Sequence, residues 1–226
     1  MKAKALLETI KKDYGNEAFD ARLVYEDLQS QESIDAFYQS LSRLVSRNEL
    51  LRVGKGVYCV PKDSPYGSYP PSEHELLAPY LENQKGMVIG YELYSDLLLT
   101  TQVAKGVCAY SSAIDSQVKT IGNVRLMKAN LKFTPSVKEH VAMMEVLSHL
   151  GQIEDFNEEV FTNYIRSFAS SYSQTAMDRV LKAIKYKKAT IALIKEILDY
   201  CEVENSLASY LNPLTKYKLP DVGIAL

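Results

Sequence analysis

Residues 41–61 read LSRLVSRNELLRVGKGVYCVP. The first half carries Leu41, Leu44 and Val45 at helical spacing, with Arg43 and Arg47 turned to other faces. Asn48 is a stop residue, since asparagine tolerates the left-handed backbone that ends helices. Leu51 to Val53 and Val57 to Val60 are β-favouring runs on either side of Gly54-Lys55-Gly56, a turn whose glycines adopt positive φ without strain. A helix followed by a lysine-tipped hairpin is the order of a winged helix. In that arrangement the helix enters a DNA groove and the wing reaches a phosphate.

Upstream, Ala3 to Tyr14 predicts an amphipathic helix with Leu6, Leu7 and Ile10 inward and Gly15 just past its end. Glu17 to Phe19 reads as a short extended link, and Asp20 caps a second helix through about Leu28. Gln29 to Glu32 is the turn. Ser33 then caps a third helix, Ile34 to Arg47, with Ile34, Phe37, Leu41, Leu44 and Val45 inward. Its other face carries Asp35, Gln39, Ser42, Arg43, Ser46 and Arg47, with Tyr38 at the edge. A carboxamide such as Gln39 pairs with adenine N6 and N7, and arginine pairs with guanine or phosphate. The candidate DNA-contacting set is therefore Ser33, Tyr38, Gln39, Ser42, Arg43, Arg47, Arg52 and Lys55. Gln39, Ser42 and Arg43 are expected near base edges and Arg47 and Arg52 on phosphates. Lys55 is expected on the backbone or minor groove. The rival reading of this face is an ordinary solvated helix surface.

Charge is distributed in a way that favours the first reading. The whole chain is close to neutral, at −2, which argues against a general nucleic-acid binder. Between Arg43 and Lys62, however, Arg43, Arg47, Arg52, Lys55 and Lys62 face a single acid, Glu49. Residues 63–160 reverse the balance, with 7 basic and 13 acidic residues. One compact basic patch sits beside an acidic middle.

Downstream, Lys62 to Ser72 (KDSPYGSYPPS) is rich in proline, glycine and serine and reads as a linker. Ser72 and Glu75 form a capping box for a helix to about Gln84. A short apolar segment at Gly86–Gly90, a helix at Glu92–Leu99 and strands within Val107–Ser111 and Val118–Lys132 make a small α+β module. From Thr134 the pattern is helical: Thr134 with Pro135, then Asn157, Ser173 and Lys188 open four helices. The expected class is α+β. The expected domains are a winged helix-turn-helix at 1–62, a linker at 63–72 and a C-terminal domain at 73–226. That last domain divides into an α+β part (73–133) and a helical part (134–212).

Enzyme signatures are missing: there is no P-loop, no G-x-G-x-x-G and no G-x-S-x-G. Cys59, Cys108 and Cys201 are far apart and odd in number, which fits reduced thiols rather than disulfides or zinc. His140 and His149 are nine residues apart on one helix, half a rotation from each other, so they do not share a ligand. The acids Glu154, Asp155, Glu158 and Glu159 lie where a helix N-terminus favours negative charge. No catalytic residue, metal or cofactor is expected. With no membrane span and no secretory leader pattern at the N-terminus, the expected location is cytoplasmic.

The wing and the segment C-terminal to it resemble the AbiEi-type antitoxins of abortive-infection toxin–antitoxin systems. The family's wing ends in a basic–Gly-x-Tyr-x-x-Pro pattern, here Lys55-Gly56-Val57-Tyr58-Cys59-Val60-Pro61. A linker, a capped helix and YELYSDLLLTTQVAKGV (Tyr91 to Val107) come next, with Leu99-Thr100-Thr101-Gln102-Val103 matching a second family turn. The resemblance runs over about residues 1–130. The wing carries less arginine than is common there, and Ala104 stands where proline is expected. The resemblance implies a DNA-binding repressor of its own operon, monomeric or dimeric on DNA, that counteracts a nucleotidyltransferase-like toxin without needing stable contact. Two other readings stay open. One is a ligand-responsive regulator with a tyrosine-lined pocket within residues 66–110; the other is a protein-interaction module with a degenerate winged helix.

Overall fold

Capping side chains start most of the helices. The computed structural model describes residues 3–15, 17–28, 33–64, 67–69 and 71–219. The turn expected at Gln29–Glu32 and part of the expected linker (65, 66 and 70) lie outside the described residues. Helix α1 spans Ala3–Tyr14, α2 Ala21–Asp27 and α3 Ile34–Ser46. Asp20 caps α2 by accepting from the Arg22 amide at 2.9 Å, and Ser33 caps α3 by accepting from the Ala36 amide at 3.3 Å. Asn48, at φ 57°, turns the chain away just after α3. Phe37, Leu41 and Leu44 form the buried stripe of α3. Each such side chain contributes roughly 1.5–3 kcal/mol on burial. Ile34, expected in that stripe, is instead 43% exposed, because it occupies the first turn, ahead of the part of α3 that meets the core.

The hairpin expected after α3 is present as β2 (Leu51–Gly54) and β3 (Val57–Cys59). The segment read as an extended link contains a third strand, β1 (Ala18–Asp20), paired antiparallel to β3 with Phe19 opposite Tyr58. The sheet order is β1-β3-β2. The Gly56 carbonyl accepts from the Ala21 amide at 2.8 Å, so the hairpin turn is tied to the start of α2.

Within the expected linker, β4 (Lys62–Ser64) and β5 (Gly67–Tyr69) pair as an antiparallel hairpin. Helix α4 (Glu73–Leu81) opens with the Ser72/Glu75 capping box, and Glu75 also pairs with Lys62. Then come β6 (Gly86–Ile89), α5 (Tyr91–Asp96), β7 (Cys108–Ser111), β8 (Val118–Ile121) and β9 (Val124–Lys128). They form a four-stranded sheet of order β6-β7-β9-β8, in which β7 and β9 run parallel. Helices α6 (Pro135–His149), α7 (Glu158–Ser171), α8 (Gln174–Ala183) and α9 (Lys188–Tyr200) complete the mixed α+β fold.

Helix α6 is the centre of the largest core, buried from Val137 through Leu147 except at Lys138 and Glu139. His140 is part of that core. Its Nδ1 donates to the Ser136 carbonyl at 2.7 Å while Nε2 accepts from the Ser173 amide at 3.0 Å, which specifies a neutral ring. Burial lowers its pKa from the ordinary imidazole value. The turn after α5 is clasped to the loop before α7: Thr100 Oγ1 donates to the Glu154 carbonyl at 2.6 Å, and the Gln102 amide pairs with Asp155. A third core is built from both sides of the expected linker, with Ala18, Val57 and Cys59 packed among Leu77, Tyr80, Ile121 and Val124.

Candidate nucleic-acid interface

The outer face of α3 is an open polar surface. Gln39, Ser42, Arg43, Ser46 and Arg47 are exposed on it. Among the described residues, the side chains of Gln39, Arg43 and Arg47 have no hydrogen bond or ion pair within the protein. Ser33 is exposed at the helix N-terminus, where its hydroxyl is occupied by the cap. Gln39, Ser42, Arg43 and Ser46 lie within about 100° of one another at 100° per residue, on the side away from Phe37 and Leu44. This is a surface a groove can approach without displacing any existing contact.

Arg52 and Lys55 lie on the hairpin. Arg52 is exposed, its Nε donating to the Gly54 carbonyl at 3.3 Å across the bulge in β2. Lys55 is exposed at the turn, with no partner among the described residues. The turn depends on Gly56, at φ +73°, a conformation side chains rarely adopt. Gly54 serves a different purpose: a Cβ there would come within 2.8 Å of Ile121 Cγ2 on β8. Strand β2 is therefore packed directly against the four-stranded sheet.

One expected member of the α3 set stands apart from its exposed face. Tyr38 is half-buried at the helix edge, and together with Lys55 it lines a cleft of about 540 Å³ between the hairpin and residues 113–120. Burial raises the Tyr38 hydroxyl pKa, and the Asp20 carboxylate adds to the effect. The structure thus gathers Gln39, Ser42, Arg43 and Arg47 on one surface and turns Tyr38 and Lys55 toward another.

Two basic residues of the cleft, Arg22 and Lys119, were not singled out in sequence. Both are engaged. Arg22 reaches Asp115 Oδ2 at 2.9 Å, Glu26 Oε1 at 2.9 Å and the Ala113 carbonyl at 2.8 Å. Lys119 pairs with Asp20 and lies 5.0 Å from the centre of the Tyr80 ring. Tyr80 also donates to Asp20 at 2.6 Å. Burial alone pushes the Asp20 carboxyl up, but hydrogen bonds from Lys119 and Tyr80 outweigh it and hold the group below its ordinary value. The only sequence signal here was Asp20 as a cap. Its partners stand 60 and 99 residues away.

Residues 25–61, which hold the end of α2, all of α3 and the β2–β3 hairpin, match the family described as "Transcriptional regulator, AbiEi antitoxin". Over that segment the resemblance seen in the sequence is borne out. No curated protein matches the chain. Among solved structures, the chain is similar to the RV2827C protein from Mycobacterium tuberculosis at 10% identity and a TM-score of 0.43. That match covers 87% of this chain and 76% of the other. No described helix is long and apolar enough to cross a membrane, and the described residues contain no cluster of three or more His, Cys, Asp or Glu able to hold a metal ion.

Proposed function

We propose that the chain is a DNA-binding, antitoxin-like transcriptional regulator that acts in the cytoplasm without catalysis of its own. In this reading α1, α2, α3 and the β1–β3–β2 sheet are a winged helix-turn-helix, residues 73–226 are the antitoxin-like part, and 63–72 connect them. The unpartnered, exposed face of α3 carries the proposal, because it lies inside the segment that matches the antitoxin-regulator family.

Helix α3 lies in a major groove with Gln39, Ser42 and Arg43 toward base edges. Arg47 and Arg52 hold phosphates, and Lys55 reaches the backbone from the wing. The protein represses its own operon and counteracts a nucleotidyltransferase-type toxin, with no stable complex required. Ser33 and Tyr38 border this surface, Tyr38 half-buried at the edge of α3.

The test is a titration of the protein onto DNA from upstream of its own gene and onto scrambled DNA, at two salt concentrations. Tight, sequence-selective and salt-sensitive binding is expected. Equal or absent binding on both DNAs removes the repressor reading and moves the weight to a protein partner.

A further inference from the structure

The second half of the molecule holds a cavity that DNA reading does not use. It measures about 330 Å³ and lies between β6, β7 and α6, with walls from Tyr91, Tyr94, Tyr110 and Met127. At its polar end are Glu145 and His149 of α6. The volume falls in the range of small-molecule sites, and the lining has their usual character: mostly aromatic and apolar, with a few convergent polar groups.

Glu145 is the unusual member. It is 3% exposed, yet no lysine or arginine pairs with it among the described residues. Its Oε1 accepts from Tyr110 and from Tyr186, each at 3.0 Å. Among the described residues Oε2 accepts no hydrogen bond; His149 Nδ1 stands 3.8 Å from it, and that nitrogen already donates to the Glu145 carbonyl at 2.9 Å. The second oxygen of this carboxylate therefore has no hydrogen-bond donor among those residues, and Glu145 borders the open cavity. Burying an acid this way is costly unless a countercharge or donor arrives.

We propose that this cavity binds a small organic cation: an ammonium group carried on an apolar or single-ring body. The Glu145 carboxylate is the counterion, through Oε2. The faces of Tyr91 and Tyr94 stabilise the positive charge, as aromatic walls do for ammonium ligands, and Met127 packs the apolar body. An anion is disfavoured by Glu145. Burial raises the Glu145 pKa, so beside a neutral ligand the acid is drawn toward its protonated form, whereas a cation holds it ionised. Tyr110 and Tyr186 hold Glu145 in place and are positioning residues. The site is independent of the α3 surface and stands or falls without the DNA-binding reading.

The experiment uses the full chain and three probes of one shape: benzylammonium, benzyl alcohol and benzoate, followed by titration calorimetry. Benzylammonium should bind at least about tenfold more tightly than the other two. Glu145→Gln keeps an acceptor for both tyrosines, so it should retain the thermal midpoint and lose at least about tenfold of the benzylammonium affinity. Tyr91→Ala, at the half-buried rim, should weaken it by about threefold or more and gives the decision if Glu145→Gln fails to fold. Equal binding of benzyl alcohol would reduce the cavity to an apolar void. Undetectable benzylammonium binding, or binding unchanged in the folded variants, would overturn the proposal.

Discussion

The arginines of the α3 surface and the basic residues of the neighbouring cleft are used oppositely. Arg43 and Arg47 are exposed and unpartnered among the described residues. Arg22 and Lys119 are tied to Asp115, Glu26 and Asp20. Charge pairs already made inside the protein give little to a phosphate, since a new partner must first compete with the old one. Free cations have no such partner to give up, and their cost is the side-chain freedom lost on binding. The basic patch seen in the sequence thus supplies an outer surface available to a ligand, while Arg22 and Lys119, outside that patch, join the N-terminal helices to the four-stranded sheet.

The largest effect expected from breaking this contrast is on the inner set. Asp20→Ala removes the α2 cap, the acceptor for Tyr80 and the partner of Lys119 in one change. Urea unfolding should show a loss of about 3 kcal/mol or more. The pH dependence has a defined sign. Asp20 has a native pKa below its ordinary value, so its contribution is present above the unfolded carboxylate pKa of about 3.9. It is lost as pH falls through the lowered native value. Wild-type stability should therefore fall more steeply with acid than that of Asp20→Ala. Parallel curves would mean that the network does not hold the two parts together.

On the outer surface the signs are reversed. Arg43→Ala should leave stability within about 0.5 kcal/mol. It should cost about 1–3 kcal/mol of specific DNA affinity if it makes a bidentate contact with a base. A binding isotherm indistinguishable from wild type would remove α3 from the groove. The smallest effect belongs to Lys55→Ala, which should weaken binding similarly on every sequence. Plotted against the logarithm of salt concentration, its affinity should have a slope lower by about one. A sequence-dependent loss would instead put Lys55 on a base edge, and an unchanged slope would confine it to the cleft that it lines with Tyr38.

The β2–β3 hairpin illustrates how far local signals reach. Gly54-Lys55-Gly56 between two β-favouring runs announces a hairpin, and the hairpin is there. That Gly54 also lets Ile121 approach is invisible in the chain, because Ile121 lies 67 residues further on and any turn glycine satisfies the local rule. Tyr38 is similar. Its position at the edge of the α3 stripe is legible, but which neighbour occupies that edge depends on the loop between β7 and β8. The candidate ligand site was legible in part, as a tyrosine-lined pocket within residues 66–110, but Glu145 looks like an ordinary helix acid until Tyr110 and Tyr186 are brought to it.

By itself the sequence determined the helix starts at Asp20, Ser33, Ser72, Thr134, Asn157 and Ser173, the stripe of α3 and the hairpin turn. Each depends on groups within about four residues of one another, where a side chain answers to its own backbone. Only the tertiary structure decided that Ala18–Asp20 pairs with β3, that β7 runs parallel to β9, and that Asp20 and Glu145 become buried acids with distant partners. Strand partners and buried charges are chosen by which surfaces the whole chain must cover. A short segment, able to form those bonds equally well with water, carries no record of that choice.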